Sequence, residues 1–318
     1  MKFTTATDKQ RSVAICKQGV KDSYFKAALS YDPSKSDEDG HFDYLPKDPK
    51  GGDWLRIYRE PHYPISKYMK STPLPKYDTL YIQPIGDFNP SNSPNLERIR
   101  EYASIFFQKT VITLPSMSIH ETNKKNKVIV GSNYVTCREN WGIRQLNTRS
   151  ILKMLKETKP LESHCVMGLT MEDLYPEDDW NYVFGEASPG DRLGIFSFAR
   201  YSPLFYDEEN EDRELTAEEK IIMLRRSINV MVHETGHMMG LPHCIYFRCM
   251  MNGANSLEES DTQPSYECPA CLRKLQYHLN FDVKKRFEDL LEYYTNNNLT
   301  IEKTWLCKRM TFINTLVK

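Results

Sequence analysis

The chain changes texture at Tyr77. Beyond it, short apolar runs alternate with stretches whose apolar residues recur every three or four positions. Residues 78–85 (Asp-Thr-Leu-Tyr-Ile-Gln-Pro-Ile) read as a strand that ends in Gly86, and residues 110–114 (Thr-Val-Ile-Thr-Leu) as a second. Between them, Ser93 and Pro94 form a helix-start signal, a capping side chain followed by proline in the first turn. Leu96, Ile99, Tyr102, Ala103, Phe106 and Phe107 then share one helical face. A further helix is expected around residues 150–155, a third strand over 164–170 and a fourth over 194–200. Strands alternating with helices predict an α/β (α+β) fold with a mixed sheet. The strongest helix signal is Thr216-Ala217-Glu218-Glu219, a capping box, followed by Ile221, Ile222, Leu224, Ile228 and Met231. The eight acidic residues within 207–219 read as a solvated connector feeding that helix, with acids placed where its dipole favours them.

Before Tyr77 the pattern is broken. Residues 32–53 are rich in Pro, Gly, Asp and Lys, and Pro61, Pro64, Pro73 and Pro75 continue the irregular character. The expected organisation is a partly irregular extension over 1–75 and a main domain over 76–255. A cysteine-bearing segment with C-terminal helices, 244–318, overlaps the end of that domain. Hydrophobic residues at 40% and charged residues at 27% suit a globular protein. A net charge of -1 gives no global pull towards nucleic acid or anionic lipid. No apolar run approaches a membrane span, and residues 1–8 lack the apolar core of a signal peptide. The expectation is therefore an intracellular, cytoplasmic protein, with the nucleus left open, no membrane partner and a monomeric state favoured.

At the end of the capped helix stands His233-Glu234-Thr235-Gly236-His237-Met238-Met239-Gly240-Leu241-Pro242-His243. Four positions apart, His233 and His237 lie on one helical face and can close on one metal ion. Three imidazoles suit zinc and leave a fourth position for water. Glu234 points about 100° around the helix from His233, towards that water rather than the metal. Gly240 can end the helix in a left-handed conformation, letting His243 return as the third ligand. His-Glu-x-x-His also arises by chance on ordinary helices; the glycine, the third histidine and the capped start separate this match from those.

Of eight cysteines, Cys16, Cys137, Cys165 and Cys307 are scattered, whereas Cys244, Cys249, Cys268 and Cys271 crowd into one segment. Two close pairs of thiols can supply a closed, structural four-thiolate zinc site. Two disulfides are the alternative, disfavoured in a reducing compartment. A nucleic-acid-binding zinc ribbon is another, but Arg273, Lys274, Lys284, Lys285 and Arg286 are mixed with Glu288, Asp289 and Glu292 and lack aromatic interleaving. Because His243 and Cys244 are neighbours assigned to different metals, the two zinc ions are expected within roughly 15 Å of each other.

The run from His233 through Cys244, Cys249 and Met251, followed by Cys268-Pro269-Ala270-Cys271, closely resembles the archaemetzincin family, most of all its animal branch. The resemblance extends in patches over 77–295, including residues 168–176, 180–188, 194–200 and 271–276. It implies a metzincin-like peptidase fold with an active-site helix, a catalytic zinc on His233, His237 and His243, and Glu234 as general base. It also implies Met251 as a methionine turn beneath the metal and a second zinc on the four cysteines, hence two Zn2+ per chain. The expected activity is that of a zinc metalloendopeptidase or aminopeptidase-like hydrolase acting on a peptide or protein. The substrate would lie extended along an edge strand at 194–200, touching Phe196, Ser197 and Phe198. The rival reading is a zinc-binding interaction protein that retains the fold with little or no activity.

Overall fold

A computed structural model describes residues 4–206 and 213–317. Most of the acidic connector, 207–212, lies outside the described residues. The chain divides into two compact units: Pro75 to Met239, and the residues up to Leu74 together with those from Gly240 on. Along the chain come α1 (Asp8–Ile15), α2 (Ser23–Ala28), α3 (Trp54–Ile57) and α4 (Ile65–Ser71). Next are β1 (Thr79–Ile85), α5 (Leu96–Phe107), β2 (Val111–Thr113), β3 (Ile119–Glu121), β4 (Lys127–Val130), β5 (Asn133–Asn140) and β6 (Ile143–Asn147). Then follow α6 (Thr148–Thr158), β7 (Ser163–Thr170), β8 (Asp173–Tyr175), β9 (Gly185–Ser188), β10 (Leu193–Ser197) and α7 (Ala217–Met238). The chain closes with α8 (Leu257–Asp261), α9 (Pro269–Leu279), α10 (Val283–Asn296) and α11 (Thr300–Leu316). No helix among the described residues is long and apolar enough to cross a membrane.

The unit from Pro75 to Met239 holds two sheets. The first runs β2-β1-β7-β10-β9, parallel except where β9 pairs antiparallel with β10. The second, β3-β4-β5-β6-β8, is antiparallel apart from the β6–β8 pair. Side chains from both sheets and from α6, among them Ile85, Val130, Leu146, Ile151, Leu155 and Ile195, form a continuous buried cluster. Ile99, Tyr102, Ala103, Phe106 and Phe107 are the buried face of α5, each worth about 1.5–3 kcal/mol if large and fully buried. This helix starts beyond the Ser93-Pro94 signal. Asn95 caps it by accepting from the Arg98 N–H at 3.0 Å, while the Ser93 hydroxyl donates to the Asn89 carbonyl at 2.5 Å. The preceding turn thus captures the expected cap.

Two features of the first sheet position the site. Helix α7 packs against β7, β9 and β10, and its start is the capping box of Thr216 and Glu219. Arg213 forks onto both Glu219 oxygens at 2.7 and 2.6 Å. Those hydrogen bonds, followed by the Thr216 N–H, hold the Glu219 carboxyl down at about 2. Strand β10 lies between β7 and β9, so residues 194–197 are interior. This corrects the expectation of an edge strand at 194–200: the last strand of the sheet is β9, and beyond Ser197 the chain turns into a short 3-10 segment, Ala199–Tyr201.

In the other unit the early residues are not merely loop. Helix α1 packs on α9, and α2 on α10 and α11. Buried Arg309 of α11 donates to the carbonyls of Ala28 at 2.7 Å and Ser30 at 2.5 Å. The Trp305 ring stacks on Tyr266 at 3.6 Å and its Nε1 donates to the His41 carbonyl at 3.2 Å. Gly40 (φ +77°) lets the backbones touch there, because a Cβ would lie 2.6 Å from the Arg309 nitrogen.

Candidate metal centres

The last turns of α7 bury Met231, Val232, Thr235, Gly236 and Met238, which leaves His233, Glu234 and His237 half-buried on another face. The two imidazole rings stand nearly perpendicular, centroids 4.7 Å apart, with their Nε2 atoms separated by 3.1 Å. The helix ends where expected. The Met239 N–H bonds back to the carbonyls of Thr235 and Gly236, and Gly240 takes φ +80°. A Cβ at Gly240 would also meet the Thr72 hydroxyl at 2.8 Å. Three residues later comes His243, and His233, His237 and His243 each offer a ligand atom within 4.8 Å of the others. Zinc–nitrogen bonds of about 2.0–2.1 Å in tetrahedral array space their nitrogens about 3.3 Å apart. The donor set and its spacing fit zinc.

Glu234 follows the first of these histidines. Burial pushes its carboxyl up to about 7, and the nearby Glu186 carboxylate of β9 pushes in the same direction. Glu186 is itself hydrogen-bonded by the Thr148 hydroxyl at the start of α6.

The second cluster is deeper. Cys244, Cys249, Cys268 and Cys271 are all buried, and their sulfurs lie within 4.8 Å of one another. Cys244 and Cys268 sulfurs are 3.5 Å apart, too far for a disulfide at about 2.05 Å and close to the roughly 3.8 Å edge of a tetrahedral zinc–thiolate site. All four are free thiols. Burial pushes the Cys244 thiol up, but hydrogen bonds from Cys249, Cys268 and Cys271 prevail and hold it well below the ordinary range. The surrounding backbone is aimed at these sulfurs. The N–H groups of Cys268 and Met251 donate to the Cys249 sulfur at 3.2 and 3.5 Å. Asn252 ties the loop shut: its Oδ1 accepts from the Cys249 N–H at 2.7 Å, and its Nδ2 donates to the Cys244 and Phe247 carbonyls at 2.8 and 3.1 Å. Pro269 opens α9, with Cys268 as its cap residue and Cys271 one turn inside.

A family model described as Peptidase family M54 matches residues 114–277, a span that holds both clusters. The chain belongs to peptidase family M54, the archaemetzincins. It is 35% identical over 266 residues to archaemetzincin-2 of Rattus norvegicus, covering 76% of this chain and 72% of that protein. Archaemetzincin-1 of Mus musculus is 32% identical over 265 residues, covering 75% of this chain and 51% of that protein. A crystal structure of archaemetzincin from Archaeoglobus fulgidus, complexed with malonate, is 27% identical, with a TM-score of 0.44, and covers 62% of this chain and 99% of that one. Membership implies zinc metallopeptidase activity on a peptide or protein substrate.

Within this M54 chain the other expected site residues are placed as follows. Met251 is buried, and its carbonyl accepts from the Cys244 N–H at 2.7 Å. Phe196, Ser197 and Phe198 are all buried in or just beyond interior β10, and the Ser197 hydroxyl donates to the Glu172 carbonyl at 2.6 Å. Three neighbours of the candidate ligands and base have no signal in the sequence: Glu186, Trp54 and Glu60. The Glu60 Oε1 lies 2.8 Å from the His243 Nδ1. Glu60 stands in a Pro-broken, aperiodic stretch, and nothing in its local pattern marks a long-range contact.

Proposed function

We propose that this chain hydrolyses peptide bonds, with zinc held by His233, His237 and His243 and Glu234 as general base. The observation that carries the reading is three imidazoles converging within 4.8 Å, with the Glu234 carboxyl one residue along the same helix from His233. Zinc bound there would polarise the scissile carbonyl and lower the pKa of water towards ~7. The Glu234 carboxylate takes the proton from the attacking water and returns it to the leaving amine. The substrate is assigned to the edge strand β9 rather than to Phe196–Phe198. An extended peptide pairing there would lie beside Glu186 and along the sheet against which α7 packs. A second zinc, on Cys244, Cys249, Cys268 and Cys271, would fill a closed site with a structural role, and Met251 would be the apolar floor that the family resemblance implies.

Incubation of zinc-loaded protein with a peptide library, analysed by mass spectrometry, tests this. Cleavage by the native chain and its loss in Glu234→Gln with zinc retained are the expected results. Internal or N-terminal product ends then separate endopeptidase from aminopeptidase action. A zinc-loaded protein that cleaves nothing would overturn the reading in favour of a non-catalytic interaction protein.

A further inference from the structure

We propose that Glu60 is a positioning residue for the metal centre: its carboxylate fixes the tautomer and ring orientation of His243, and Trp54 anchors that carboxylate. The inference rests on the reading that His243 is a zinc ligand. The Glu60 Oε1 lies 2.8 Å from the His243 Nδ1 and also accepts from the Trp54 Nε1 at 2.7 Å. A carboxylate has no hydrogen to give, so the His243 Nδ1 must carry the proton in this contact. That leaves the Nε2 lone pair for the metal, the same atom that His233 and His237 bring together. A histidine ligand whose other nitrogen donates to a carboxylate is both oriented and made more basic.

The support for Glu60 is itself built. The side chains of Glu60 and His243 are only 13% and 17% exposed, so water competes weakly for their contact. The Trp54 ring stands edge-on to the His243 ring at 4.6 Å, and its backbone N–H donates to both Glu259 oxygens at 2.9 and 3.1 Å. Glu259 also accepts from the Asn255 N–H at 2.7 Å, and the Asn255 side chain donates to the Gly52 carbonyl at 2.9 Å. Gly253 completes the clamp: a Cβ there would lie 2.5 Å from the Trp54 ring, so only glycine lets the indole pack against this backbone. Residues 52–60 and 253–259 thus hold one another, with Glu60 presented to His243. Glu60 lies outside the span 114–277 matched by the family model, so this carboxylate is supplied by the extension and not by the matched region.

The test is a zinc-competition titration with a chromophoric chelator, alongside nitrogen-15 NMR of the imidazole groups, on the full chain and on Glu60→Ala, Glu60→Gln and Trp54→Phe variants. In the native protein, His243→Ala should remove one zinc; if it removes none, the reading of His243 as a ligand fails, independently of Glu60. Given that loss, Glu60→Ala should weaken the histidine-held zinc about 10- to 100-fold while the thiolate-held zinc stays. Glu60→Gln, which keeps the shape, should shift the His243 Nδ1–H resonance upfield and weaken zinc less. Trp54→Phe should give the smallest change in the same direction. Native zinc affinity with an unmoved resonance in Glu60→Gln overturns the proposal, even if Glu60→Ala fails to fold. So does equal loss of both zincs, which would mark a general packing defect.

Discussion

The two candidate metal clusters are separated in sequence by a single peptide bond, between His243 and Cys244, yet they are built on opposite lines. The four cysteines are fully buried, belong to one compact unit and sit among backbone N–H groups that point at sulfur. Asn252 saturates the loop that carries two of them. The three histidines are only half-buried, and the acid next to His233 has its carboxyl pushed up to about 7. A cluster whose every donor is enclosed can store folding energy but has no room for a reactant. One that is left partly open, with a protonatable group beside it, gives up some of that stability for access. On the proposed function, burial separates scaffold from chemistry here more sharply than residue type does.

The largest expected effect comes from opening the closed cluster. Structural zinc contributes about 10–16 kcal/mol in small zinc domains. Cys268→Ser combined with Cys271→Ser should therefore prevent the unit from folding and strip zinc from the histidines as well. His243→Ala should leave the thiolate metal in place. Metal content and circular dichroism melts on both variants check this one-way dependence; retention of histidine-held zinc in the double serine variant would break the comparison.

Next in size is Glu234→Gln. Removing a general base typically costs about 10²- to 10⁴-fold in turnover, and here zinc content and melting temperature should stay close to native. Smaller again is Asn252→Ala, which leaves the Cys249 N–H and two carbonyls without their buried partner. About 1–3 kcal/mol of stability should be lost in all as the loop loses this buried partner, seen as a lower melting temperature and faster release of the thiolate metal to a chelator. The smallest effect belongs to Gly240→Ala. Its left-handed backbone costs about 1–2 kcal/mol with a Cβ present, and the 2.8 Å approach to Thr72 must also relax. The variant should fold and keep its thiolate zinc, with a modest drop in histidine-site affinity as the turn to His243 shifts.

The parts that were legible in the sequence are those with local causes. The Thr216–Glu219 capping box, the turn at Gly240, the ligand face of α7 and the two cysteine pairs depend on spacings of a few residues, and all are present. The strands at β1, β2, β7 and β10 were legible from their apolar runs. The second sheet was not: β5, Asn-Tyr-Val-Thr-Cys-Arg-Glu-Asn, is mostly half-exposed and shows no clean alternation. The Ser93 cap was not realised: the helix starts later, capped by Asn95, and the Ser93 hydroxyl donates to the Asn89 carbonyl in the preceding turn.

By itself the sequence determined the helix cap, the turn at Gly240 and the two candidate metal clusters, because such features are read from neighbours along the chain. Only the tertiary structure decided which strand is the edge and which carboxylate meets His243. The order β7-β10-β9 depends on pairing between segments whose local patterns are compatible with several orders. The contact between Glu60 and His243 spans 183 residues. Residues that far apart meet only through the packing of everything that surrounds them, and hydrophobic periodicity holds no record of that.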